Sequence, residues 1–121
     1  MKRILVIEDE PEMRRNITTL LRFHQYEPIE AENGRKGVEA TRREKPDLIL
    51  CDVMMPELDG YDTIRIVRGL EEFKNLPVIA VTAKAMKGDR EKCLEAGASD
   101  YLAKPVNTEQ LLSALRMWLH R

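Results

Sequence analysis

Cysteine and histidine are scarce in this 121-residue chain, with two of each. Cys51 and Cys93 stand far apart, and His24 and His120 lie near neither, so the short ligand spacings of a zinc site are missing. Cys51 closes an apolar run and reads as a small buried hydrophobe. An excess of one charge is missing too. Twenty lysines and arginines stand against 21 aspartates and glutamates, a formal net of −1, which implies no polyanionic partner. No apolar run could cross a bilayer, and the four apolar residues after Met1-Lys2-Arg3 are too few for a signal peptide. No membrane insertion and a reduced, cytoplasmic location are expected. Internal repeats, low-complexity segments and linkers are absent, and the length suits one domain, residues 1–121.

What the chain does have is a set of short apolar runs: Ile4 to Ile7, Leu48 to Cys51, Val78 to Val81 and Tyr101 to Ala103, with a weaker extended stretch from Tyr26 to Ala31. Pro46 and Pro77 stand just ahead of two of them, where a strand tolerates proline. Unbroken apolarity is what parallel strands covered on both faces require. Between the runs lie helical patterns. Met13, Ile17, Leu20, Leu21 and His24 share a face behind Pro11. Tyr61, Ile64, Val67 and Leu70 mark a second helix; Leu111, Leu112, Leu115, Trp118 and Leu119 mark the last, with Asn107 as its N-cap and Gln110 three residues on. Residues 34–44 and 86–96 are less periodic, yet a helix is predicted in each. Strand then helix, five times, predicts an α/β fold with an open parallel sheet covered on both faces.

In such sheets ligands sit beyond the carboxyl ends of the strands. Glu8, Asp9 and Glu10 follow the first apolar run; Asp52, Thr82 and Lys104 follow three others. Each has a plain explanation alone: the acids favour a helix N-terminus, Thr82 caps, Lys104 is a solvated cation. Together they fit something more specific. Carboxylates converging on one edge repel unless a cation is present, and a few hard oxygen ligands suit Mg²⁺. Carboxylate, divalent metal, ammonium and hydroxyl are the parts that hold a phosphoryl group. Aspartate is also a competent phosphoryl acceptor.

The stretches "LVIEDEPEMRRNI", "LILCDVMMPELDGYD", "PVIAVTAKA" and "ASDYLAKPVN" resemble the receiver domain of two-component response regulators, in order and over the whole chain. The resemblance implies a flavodoxin-like, doubly wound (βα)5 fold with sheet order 2-1-3-4-5. It implies that Asp52 accepts phosphate from a phosphohistidine on a histidine kinase or histidine phosphotransfer domain. Glu8, Asp9 and Asp52, with the backbone carbonyl of Met54, would ligate Mg²⁺. Thr82 and Lys104 would bind the phosphoryl oxygens, and Tyr101 would be the switch aromatic. It also points to a cis Lys104–Pro105 bond. One small departure is Glu8-Asp9, where many receivers carry two aspartates.

Other readings are weaker on these residues. A flavin carrier of the same architecture needs a Gly/Ser/Thr-rich phosphate loop after the first strand, and here that loop reads "EDEPEM". A haloacid-dehalogenase-type phosphatase wants a second aspartate two residues after the nucleophile, where this chain has Met54. An unphosphorylated pseudo-receiver would have lost one or more of the chemical positions, and none is degraded.

The expectation is therefore a phosphoacceptor signalling domain, not an enzyme beyond its own phosphorylation and dephosphorylation. It would bind no DNA directly and would signal to a downstream effector through the face of the fourth helix, fifth strand and fifth helix, carrying Lys84, Lys87, Arg90 and Tyr101. The stretch from Val81 to Val106 is most similar to receivers of hybrid sensor kinases, and a free-standing regulator is the other setting. The resemblance puts Met54 and Lys84 beside the approach of a hydrolytic water; Met54 offers only a weak thioether acceptor, and a charged Lys84 has no acceptor with which to draw a proton. Ala83 leaves room for a donor histidine, so a long-lived phosphoprotein is expected.

Overall fold

A computed structural model describes residues 1–55, 58–83 and 89–120. The elements run β1 (Arg3–Ile7), α1 (Pro11–Phe23), β2 (Glu27–Ala31), α2 (Gly34–Glu44), β3 (Leu48–Asp52), α3 (Gly60–Gly69), a 3₁₀ turn (Glu71–Phe73), β4 (Val78–Thr82), α4 (Asp89–Ala96), β5 (Asp100–Ala103) and α5 (Thr108–Leu119). All strand pairs are parallel, in the order β2-β1-β3-β4-β5, which is the flavodoxin-like order that the resemblance implied.

Every residue of β3 and β4 is buried, as the unbroken apolar runs require, while the edge strands β2 and β5 are largely half-exposed. Successive side chains along a strand point to opposite faces. Leu5, Ile7, Ile49, Cys51 and Ala80 therefore meet Ala40 of α2, Ile64 and Val67 of α3, and Cys93 and Ala96 of α4 on one side. Ile4, Val6, Leu48, Leu50 and Ile79 meet Ile17 and Leu21 of α1 and Leu111 and Leu115 of α5 on the other. Each large aliphatic buried this way contributes roughly 1.5–3 kcal/mol.

The weak periodicity over 34–44 has a steric cause. The face of α2 that packs inward is Gly34, Gly37, Ala40 and Thr41, small residues that carry little apolar signal. A Cβ at Gly37 would lie 2.5 Å from Ile7 Cδ1, and one at Gly34 would lie 2.3 Å from Thr63 Oγ1. Close approach, not greasiness, fixes this helix. Side-chain caps open three helices: Asn33, Asp59 and Asn107 accept from the N–H groups of Lys36, Asp62 and Gln110. For α4, the predicted span began at 86, and 86–88 lie outside the described residues.

Candidate phosphoryl and metal site

The sheet register lines up the carboxyl ends of the strands. Ile7 pairs with Cys51, Asp52 with Val81, and Thr82 with Ala103, so the residues following these positions share one edge. Chain order reverses between β1 and β3, which opens a crevice at that edge.

Glu8, Asp9 and Asp52 converge there, each offering a carboxylate oxygen within 4.8 Å of the others. Glu8 and Asp52 are each only 2% exposed, while Asp9 is half-exposed. Glu10 is exposed, and its part in the local structure is its N–H, which donates to Glu8 Oε2 at 3.2 Å. Lys104 Nζ bridges the cluster, 3.0 Å from Glu8 Oε1 and 3.2 Å from Asp52 Oδ2. The second oxygen of Asp52 accepts from the Met54 N–H at 3.1 Å, so the carboxylate is held at both ends. Gly60 lets α3 begin against this strand tip: a Cβ there would lie 2.3 Å from the Asp52 carbonyl oxygen.

The Lys104 backbone N–H donates to the Thr82 carbonyl at 2.8 Å, and the following Lys104–Pro105 peptide is cis. Thr82 is wholly buried beside the cluster's strand tips. Tyr101 is half-buried on β5, opposite Ala80 and against the core on the α2–α3–α4 side, outside the polar cluster. Met54, whose N–H donates to Asp52, is 48% exposed. Arg90 is exposed on α4, whereas Lys84 and Lys87 lie outside the described residues.

Three carboxylates against one ammonium leave the site short of positive charge. Burial, then a hydrogen bond with Glu8 and the charge of Glu8, push Asp9 above the ordinary 3.8. For Lys104, burial alone would lower the ammonium's pKa, but the Glu8 hydrogen bond and the Asp52 charge outweigh it and raise it. The donor set is all oxygen and few in number. That is the chemistry of a hard divalent cation that keeps several waters. These carboxylates fit such an ion.

The response regulator receiver domain family model matches residues 4–116. The chain belongs to that family. Over 115 residues the receiver is 40% identical to protein PilH of Pseudomonas aeruginosa, covering 95% of both chains. Over 110 residues it is 43% identical to hybrid signal transduction histidine kinase D of Dictyostelium discoideum, covering 91% of this chain and 7% of the kinase. It also superposes with a TM-score of 0.92 on the receiver domain of a sensor histidine kinase from Pseudomonas aeruginosa, at 39% identity, with 99% and 98% of the two chains covered. That structure holds a magnesium ion coordinated in its active site cleft. Membership in the receiver family sets aside the flavin-carrier and phosphatase readings.

Two parts of the receiver went unread in the sequence. Arg68, in the last turn of α3, donates to the carbonyls of Gly97 (2.6 Å) and Phe73 (3.0 Å) and to Ser99 Oγ (3.0 Å). Asp100 accepts from the Tyr101 N–H at 2.8 Å and from Trp118 Nε1 at 3.1 Å, tying β5 to α5. Neither leaves a spacing signature, because the partners are backbone groups or lie 18 or more residues away.

Proposed function

We propose that this receiver takes a phosphoryl group onto Asp52 from a phosphohistidine of a histidine kinase or histidine phosphotransfer domain. The observation that carries the reading is the Lys104 ammonium between the buried carboxylates of Glu8 and Asp52, at the edge where Asp9 adds a third. A carboxylate oxygen of Asp52 attacks phosphorus, giving up the contact it makes in the resting site. The bond from phosphorus to the imidazole nitrogen breaks, and its electron pair leaves on that nitrogen. Asp9, Asp52 and Glu8, with the carbonyl of Met54, would hold Mg²⁺, which supplies charge stabilisation for the transferring phosphoryl group. Lys104 and the Thr82 hydroxyl take its oxygens.

The acyl phosphate brings close to two negative charges beside Glu8 and Asp9. Drawing Thr82 toward the phosphoryl group vacates space into which Tyr101 turns. The change is then read by an effector on the α4–β5–α5 face, where Tyr101 and Arg90 stand. The domain acts as a signalling module and catalyses only its own phosphorylation and dephosphorylation, without direct DNA contact. Its place would be the cytoplasm, and no described helix is long and apolar enough to cross a membrane.

The test is labelling by a small phosphodonor such as acetyl phosphate, read by intact mass. The parent should gain one phosphate in Mg²⁺ and none after chelation, and Asp52→Asn should gain none. Normal incorporation into the Asn variant would remove Asp52 from this role.

A further inference from the structure

The two carboxylates of the turn between β1 and α1 are held very differently. Glu8 is gripped on several sides. Its N–H donates to the Ala31 carbonyl at 3.1 Å, Oε1 pairs with Lys104, and Oε2 accepts from the Glu10 N–H. Asp9 is half-exposed, and its side-chain hydrogen bond is with Glu8, a like charge. Behind it α1 opens on Glu10 without a side-chain cap. The direction in which Asp9 projects is then set by the planar peptide that joins it to Glu8. The carbonyl of that plane belongs to Glu8, and Arg14 Nη1 donates to it at 2.8 Å.

Arg14 reaches back from the first turn of α1, where its own N–H donates to the Glu10 carbonyl at 3.0 Å. Its side chain is only 16% exposed, and Nε donates to Glu30 Oε1 on β2 at 3.2 Å. A guanidinium is a rigid planar fork, so the bond to Glu30 aims a second N–H at the Glu8 carbonyl. A lysine would carry the same charge without that fixed pair of donors. Glu30 is exposed, and an ion pair with an exposed partner is worth little by itself. The contact with the Glu8 carbonyl is the one that bears on the carboxylate edge.

We propose that Arg14 is a positioning residue for the cation site: through the Glu8 carbonyl it sets where the Asp9 carboxylate stands relative to Glu8 and Asp52. It acts on metal affinity and not on phosphoryl transfer, because its printed partners are Glu8, Glu10 and Glu30 and none is a reacting group. Partners that stand behind metal ligands are worth about 10–100-fold in affinity. That the ion is Mg²⁺ and serves phosphorylation rests on the reading of Asp52 above; that Arg14 orders the turn does not.

The experiment sets the parent beside Arg14→Lys, Arg14→Gln and Glu30→Gln, each metal-free at the start. Amide nitrogen relaxation reads the turn. Asp9 should match β1 in the parent, with an order parameter of about 0.85, and should fall toward about 0.6 in Arg14→Lys. Mg²⁺ titration followed by amide shifts then gives the dissociation constant. It should rise roughly tenfold in both Arg14 variants. In Glu30→Gln, whose amide oxygen still accepts from Nε, it should stay within about twofold. Labelling by acetyl phosphate at saturating Mg²⁺ should run within about twofold of the parent rate in every variant, the split expected of a group that acts on binding alone. An Asp9 already mobile in the parent overturns the proposal. So does a folded Arg14→Lys, the milder change if Arg14→Gln does not fold, that keeps either the order at Asp9 or the Mg²⁺ affinity. An equal loss of affinity in Glu30→Gln, or a saturated labelling rate that falls with affinity, would show that Arg14 merely braces α1 and would overturn it too. A parent that binds no Mg²⁺ fails the metal reading alone, because the order at Asp9 still judges Arg14.

Discussion

The two ends of one parallel sheet follow opposite electrostatic plans. At the amino end charges and donors are matched. Arg3 pairs with Glu27 at 3.0 Å and with Glu44 at 2.6 Å, its guanidinium also donates to the Glu44 carbonyl, and its N–H donates to Asp47. Arg68 fills its own junction with carbonyls and a hydroxyl. At the carboxyl end three carboxylates crowd within 4.8 Å around one ammonium. The first arrangement closes the fold. The second holds like charges together, a surplus that a bound cation would offset. Paired charges stand at one end of the sheet and surplus negative charge at the other.

Substitutions at the two ends should therefore fail in different ways. The largest change in stability belongs to the amino end. Arg68→Met should lower the unfolding free energy by about 2–4 kcal/mol, since several partly buried acceptors lose a charged donor at once. Phosphate uptake by the folded fraction should stay within about twofold of the parent, because Arg68 touches none of the reacting groups. Urea unfolding beside the labelling assay reads both; lost labelling with unchanged stability would reverse the comparison.

Acid should then separate the ends by sign. Asp9 sits above its ordinary 3.8, so folding raises its hold on the proton. Its contribution is favourable only at low pH and is lost as pH rises through the raised value. Glu44 sits below its ordinary 4.5, through hydrogen bonds first from Arg43 and then from Arg3. Its contribution is present above 4.5 and is lost as pH falls through the lowered value. In metal-free buffer near neutral pH, Asp9→Asn should raise the urea midpoint and Glu44→Gln should lower it. Both differences should shrink on acidification below the ordinary carboxylate range. Midpoints moving in the same direction for both variants would dissolve the contrast.

The smallest effect concerns only the mouth of the site. Met54, two residues after Asp52, is half-exposed and offers water only a weak thioether acceptor. Met54→Asn should speed phosphate loss by roughly three- to tenfold by orienting a water in line with phosphorus. Phosphate release from purified phosphoprotein in Mg²⁺ is the readout, and equal decay would place the control of lifetime elsewhere.

Much of this contrast was legible in the residues. Apolar runs announce β1, β3 and β4 because buried parallel strands need them, and the polar residues that end the first two runs, Glu8, Asp9 and Asp52, meet with Lys104, which follows β5. The α2 helix was faint because its packing face is glycine and alanine. Arg68 was invisible for another reason: a guanidinium that binds carbonyls has no complementary acid in the sequence to betray it. The same holds for the Asp100–Trp118 link, since nothing local marks an indole 18 residues away as its partner.

The most direct test of the account is unfolding free energy as a function of Mg²⁺ concentration, for the parent, Asp9→Asn and Arg68→Met. Above the dissociation constant, a ligand that binds only the folded state adds about 1.4 kcal/mol per tenfold rise in its concentration. The parent and Arg68→Met should rise in parallel from different starting values, while Asp9→Asn stays nearly flat over the same range. A flat parent, or an Asp9→Asn line that climbs with the parent's slope and onset, would contradict the claim that the carboxylate edge is a cation site left incomplete by the chain alone.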